Sequence, residues 1–208
     1  MSLGRIIDIT YFIGSIEIAN TEQPEVEDHI NSVVDRVQRN VLLEALGHTL
    51  YAELYANYDT AVNDKWKKLV EGDDYTVEVA GEDYTIHWNG LKNSEKLSML
   101  AYFAYWEIMK ELTQSASGIG LVNSKAENAD KIDPRYKMTK AWNDGICLYG
   151  SIAAQPGESF VYDEMPYINR MLLKPSLCNY IIAKNEEDST NYQKWIFTEK
   201  GYLSFTGL

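Results

Sequence analysis

Histidines, cysteines and clustered carboxylates are the side chains of this 208-residue chain that could do chemistry, and they are few and scattered. His29, His48 and His87 fall in different expected elements. None has an acidic or Cys neighbour at the close spacing, such as Cys-x-x-Cys or His-x-x-x-His, that a zinc site needs. Cys147 and Cys178 could form one bridge, but their spacing does not demand it, and buried thiols are the default expectation. Glu95, Glu107 and Glu111 share one apolar helix and would form a carboxylate cluster only if that helix faced a cleft. Solvated charges and helix-stabilising pairs account for them more simply. Asp73-Asp74 and Glu186-Glu187-Asp188 lack the alternating aspartate spacing of a calcium loop. Gly118-Ile119-Gly120 follows a helix, without the later Gly and Lys of a phosphate cradle, and is better read as helix termination. Nor is there a Gly-x-Ser-x-Gly nucleophile context. The expectation is therefore no catalytic residue, no cofactor, no metal and no enzyme.

The elements that position these residues organise around Ser94 to Ser115. Leu97, Leu100, Ala101, Ala104, Ile108 and Leu112 keep one helical face, while Met99, Phe103 and Trp106 fill the flanks that a surface helix gives to charge. Asn93 or Ser94 is the expected N-cap, with Leu91 and Leu97 placed as a hydrophobic staple. Glu95, Lys96, Glu107, Lys110 and Glu111 leave an apolar run of only about ten residues, where a membrane span needs roughly 20. The helix is expected at the centre of a bundle.

Before it, Arg5 to Asn20 is rich in β-branched residues and is expected to be extended or a short strand. Val26, Ile30, Val33, Val34, Val37, Val41 and Leu42 trace a helix from Pro24 to Gly47. Shorter helices are expected over His48 to Tyr58 and from Asp59 through Trp66 to Gly72. Tyr75, Val77 and Val79 alternate, as do Tyr84, Ile86 and Trp88, which predicts a β-hairpin around Ala80 to Asp83. After the central helix, Gly118 to Asp130 reads as a loop. Asp133-Pro134 then opens a helix ending at Gly150 or running on to Ala154. Phe160 to Leu173 is expected to hold a short helix. Cys178 to Ala183 and Trp195 to Phe205 read as short strands around a polar loop, Lys184 to Gln193. The fold class is mainly α: a helical bundle around a central apolar helix (94–115), an inserted hairpin (75–88) and a β-containing C-terminal appendage. The expected division is an N-terminal arm (1–23), a helical body (24–150) and an extension (151–208).

Composition constrains partners. A formal net charge of -12 repels phosphate, so static nucleic-acid binding is not expected, although an acidic wall allows passive sliding of a duplex. The 15 Tyr and 5 Trp against 5 Phe suit surfaces where a ring packs on one side and meets water or another chain on the other. Met1 to Gly14 lacks the features of a signal peptide, so a reducing cytoplasm is the expected compartment.

The order of features carries a resemblance. A helix closing on Leu42-Leu43-Glu44-Ala45-Leu46-Gly47-His48-Thr49-Leu50-Tyr51 is followed by Trp66-Lys67-Lys68-Leu69-Val70-Glu71-Gly72. A hairpin then closes on Trp88-Asn89-Gly90-Leu91-Lys92, before the Tyr-rich helix Ala101-Tyr102-Phe103-Ala104-Tyr105-Trp106. Over roughly 24–150 this resembles tailed-phage head-to-tail connector (head completion or adaptor) proteins of the kind found in gut Bacteroidetes phages and prophages. The resemblance implies a structural virion protein, assembled in the host bacterial cytoplasm. It implies a homo-oligomeric ring, commonly of twelve copies, beneath the portal and around the DNA channel, with portal and tail proteins as partners and no membrane. The expected interface residues are Tyr11, Phe12, Tyr75, Tyr84, Trp88, Trp195 and Phe197, with the terminal segments Ile6 to Ala19 and Cys178 to Leu208 as assembly arms. The alternative is a small-molecule or glycan-binding module with a Tyr/Trp-lined groove. A hydrolase using the helix carboxylates ranks below both.

Overall fold

In a computed structural model the chain is mainly helical with a two-stranded antiparallel hairpin. The structure describes residues 3–58, 64–79, 81–117, 120–123, 134–150, 174–192, 195, 197 and 200. Helix α1 spans Pro24–Asn57, with Pro at its start and Glu25 and Glu27 in its first turn, where carboxylates complement the helix dipole. Ile30, Val33, Val34, Val37, Val41 and Leu42 form the expected buried stripe, continued by Leu46, Leu50 and Leu54. The expected boundary at Gly47 is a kink within α1: its φ of 72° and ψ of 170° are accessible essentially to glycine alone.

Helix α2 (Lys65–Glu71) leads through Gly72 into strands β1 (Asp73–Val79) and β2 (Glu82–Trp88). The expected start of α2 at Asp59 lies outside the described residues. The hairpin register pairs Tyr75 with Ile86 and Val77 with Tyr84, so Tyr75, Val77, Tyr84 and Ile86 share one face. Trp88 donates from its indole to the Leu69 carbonyl at 2.9 Å, tying the hairpin base to α2. Gly90 is held at a φ of 79°, and a Cβ there would meet the Val70 carbonyl oxygen at 2.5 Å, so this close crossing requires glycine.

The central helix α3 runs Met99–Thr113, starting later than its apolar pattern suggests. Ser98, rather than Asn93 or Ser94, sits at its start, accepting from the Leu100 amide at 3.3 Å and donating to the Leu91 carbonyl at 2.7 Å. Asn93 is spent on a preceding turn, where its side chain bonds both the amide and the carbonyl of Leu97. The far end also departs from expectation. Gln114–Ser117 (β3) pairs antiparallel with Gly120–Asn123 (β4), in place of a last helical turn and a loop. The remainder of the expected loop, 118–119 and 124–130, lies outside the described residues.

Helix α4 (Arg135–Tyr149) packs on α3 and stops at Gly150, whose amide caps the Ile146 carbonyl at 2.8 Å. Its expected cap Asp133 lies outside the described residues. Gly145, a weak helix former, has its reason in this contact: a Cβ there would meet the Phe103 ring at 3.0 Å.

Two expectations are corrected. Cys178 to Ala183 belongs to helix α5 (Leu177–Glu187), capped by the Ser176 hydroxyl accepting from the Asn179 amide at 3.2 Å. The expected polar loop, Lys184 to Gln193, is mostly taken up by the end of α5 and the short helix α6 (Ser189–Tyr192). The described C-terminal segment is therefore helical rather than β-containing. The N-terminal arm is no strand either: two 3-10 turns, Ile9–Tyr11 and Gly14–Ile16, lay Ile6, Ile7, Tyr11, Phe12 and Ile16 into the core. Its backbone is anchored where the Ile6 amide donates to the buried Gln38 side chain at 2.8 Å. Residues from all three expected divisions share one hydrophobic cluster. The calls on Phe160 to Leu173, and most of Trp195 to Phe205, lie outside the described residues. Among the described residues, no helix is long and apolar enough to cross a membrane.

Candidate functional site

A cleft of about 350 Å³ opens where α1, α3 and α4 converge. Helix α1 contributes Arg36, Val37, Asn40, Val41 and Glu44, one strip at helical spacing. Helix α3 contributes Phe103, Trp106, Glu107 and Lys110, α4 contributes Trp142, and Lys200 reaches in from the C-terminal segment. The wall is aromatic. Trp142 lies 5.0 Å from both the Phe103 and Trp106 rings, and Tyr149 meets Phe103 edge-on at 6.0 Å.

Charge lines the rim in pairs. Arg36 bonds Glu111, and His29 approaches the other oxygen of that carboxylate at 3.5 Å. Lys110 lies 3.6 Å from Glu107 and 4.8 Å above the Trp106 ring. Lys200 pairs with Glu44. Burial pulls the pKa of Lys200 below the ordinary lysine value. Glu107 and Glu111, considered from sequence as a carboxylate pair, are thus each engaged by a cation. Glu95 does not line this cleft. Its carboxylates are paired with cations rather than arranged around a shared proton or metal. Among the described residues no group of three or more His, Cys, Asp or Glu side chains is placed to hold a metal ion. Cys147 donates to the Asn143 carbonyl at 3.0 Å, and Cys178 is a buried thiol.

The seven expected interface residues are not brought together into one surface. Tyr11, Phe12, Tyr75, Trp88 and Trp195 are buried within their own chain. Tyr11 bridges the Asn93 carbonyl and amide through its hydroxyl, while Trp195 stacks on Trp66 at 5.1 Å. Phe197 is half-buried against Tyr149 at 4.7 Å. Tyr84, toward the hairpin tip, is also half-buried, and donates to Glu82 at 3.0 Å.

Sequence reasoning missed two lysines. Lys184 on α5 is buried, bonding Asp73 and Glu187 at 2.9 Å each and the Asp74 carbonyl at 2.9 Å. Burial works against its charge, yet the bonds to Glu187 and Asp73 hold its pKa above the ordinary value. Leu177, Tyr180, Ile181 and Lys184 fall at helical spacing, a signal that was present. No local pattern points to Lys200.

Compared with protein-family models, curated proteins and solved structures, the chain matches none of them.

Proposed function

We propose that this chain is a structural subunit of a tailed-phage head-to-tail connector, a homo-oligomeric ring beneath the portal around the DNA channel. The observation that carries the reading is the β1–β2 hairpin, inserted between α2 and the central helix at the place in the order where the resemblance to connectors lies. Its base is fixed to the bundle by Tyr75 and Trp88, which pack on Tyr180 at 5.7 and 5.8 Å. Toward its tip the same face carries Val77, Tyr84 and Ile86, which are only half-buried. The sheet has two strands, so its outer edges have no strand partner among the described residues. A two-stranded hairpin with a half-covered apolar face is completed by contact with another surface. With the N-terminal arm consumed by the core, the hairpin takes over as the contact between subunits. The net charge of -12 suits a channel wall along which DNA passes without being held.

Replacing Tyr84 by Lys tests this contact. Helical circular dichroism and thermal melting should be unchanged, while ring formation on a portal is lost. A variant that assembles normally removes the hairpin from the interface.

The aromatic cleft favours a second reading, a small-molecule or glycan-binding module, with Trp106 and Trp142 as the ring-stacking surface. Saturable binding of one ligand class by a protein that never associates with virions would support that reading over the first.

A further inference from the structure

Lysines ordinarily keep their ammonium in water while laying the stem along apolar surface. Lys200 is largely withdrawn from water. Its side chain is 15% exposed, against 62% for Lys67 on α2. The ammonium lies 5.7 Å from the centre of the Phe103 ring, 5.9 Å from Trp142 and 5.7 Å from Tyr149, and pairs with Glu44. Elsewhere Lys65, Lys96 and Lys110 each stand over a single ring. Several aromatic faces with one carboxylate are a means by which proteins hold alkylammonium groups, because the ring quadrupoles and the anion together offset part of the lost hydration. The wall comes from three helices of the bundle: Glu44 on α1, Phe103 on α3, and Trp142 and Tyr149 on α4.

We propose that the cleft is a receptor for a primary alkylammonium, the head and stem of a lysine side chain, and that Lys200 is its resident occupant. The inference is independent of the connector reading. An external amine enters only by displacing Lys200. A carboxylate of the same length is repelled by Glu44 and Glu107, and an alcohol lacks the charge that the rings and Glu44 recognise.

The test uses the full chain carrying Lys200→Ala, with n-butylammonium as probe and n-butanol and butyrate as controls at matched ionic strength. Indole fluorescence and indole N–H resonances report the cleft through Trp106 and Trp142. The variant should bind butylammonium saturably and at least about tenfold more tightly than wild type, with no response to the controls. Adding Glu44→Gln should weaken that binding about tenfold. A folded Lys200→Ala protein that ignores butylammonium, or takes butanol equally well, overturns the proposal. Should Lys200→Ala fail to fold, trace acetylation of the wild type decides. Lys200 should react about tenfold more slowly than Lys67 and lose that protection in Glu44→Gln, whereas equal rates for the two lysines contradict the assignment.

Discussion

Lys184 illustrates what a single buried charge does in this molecule. It joins α5 to the first residues of β1, bonding Asp73 and the Asp74 carbonyl, so its loss leaves Asp73 only the more distant Lys68, at 3.9 Å, as a cation and takes a donor from a backbone acceptor. Asp73 and Glu187 keep some solvent access, which places Lys184→Met at about 2 kcal/mol of destabilisation, below the roughly 3–5 kcal/mol of a broken, fully buried pair. Chemical denaturation measures this directly, and a double variant with Asp73→Asn should recover part of the loss. The buried tyrosines carry a pH prediction. Desolvation raises the pKa values of Tyr75, Tyr149 and Tyr180 well above the ordinary 10.0. A raised folded-state pKa gives stability that is complete below the unfolded value and is lost as pH climbs beyond it. Alkaline titration followed by phenolate absorbance should therefore show these rings ionising together with the loss of helical signal. Smooth ionisation near 10 with the helices intact would contradict their burial.

Among the elements, those with long, strict periodicity were legible in the sequence. The α1 stripe, the glycine boundary within it, the β1–β2 alternation and the apolar surround of α3 all follow from side-chain spacing. Short apolar runs were not. Cys178 to Ala183 satisfies a strand pattern over six residues, and only Leu177 and Lys184 at its flanks reveal the helical stripe. The N-terminal arm misled for a related reason: β-branched residues suit strands, but tertiary burial holds these in 3-10 turns, the first against α1 and the second against α4. That placement reverses the consequence of truncation. Deleting residues 1–20 removes Ile6, Ile7, Tyr11, Phe12 and Ile16 from the core and orphans the Gln38 side chain. Each large apolar side chain lost from a core typically costs about 2–5 kcal/mol, against a total stability of roughly 5–15 kcal/mol. The truncated chain should therefore lack a cooperative melt; one that melts like the full chain would place the arm outside the fold.

At the scale of the molecule, the candidate cleft was the part least visible beforehand. Its walls come from α1, α3 and α4 and its occupant from residue 200, so no sequence window holds more than a fraction of it. Trp106 and Trp142 were legible as apolar positions, but their convergence depends on the α3–α4 crossing that Gly145 permits. The connector reading makes its claim at a larger scale still, since rings of identical subunits are built from surfaces that one chain cannot complete. Cryo-electron microscopy of virions produced by the genome that encodes this chain tests that claim most directly. The account predicts a ring of copies between portal and tail, with the helical bundle fitting the density and residues 77–86 at the contact between neighbours. Virions whose portal–tail junction is complete without this chain would contradict it.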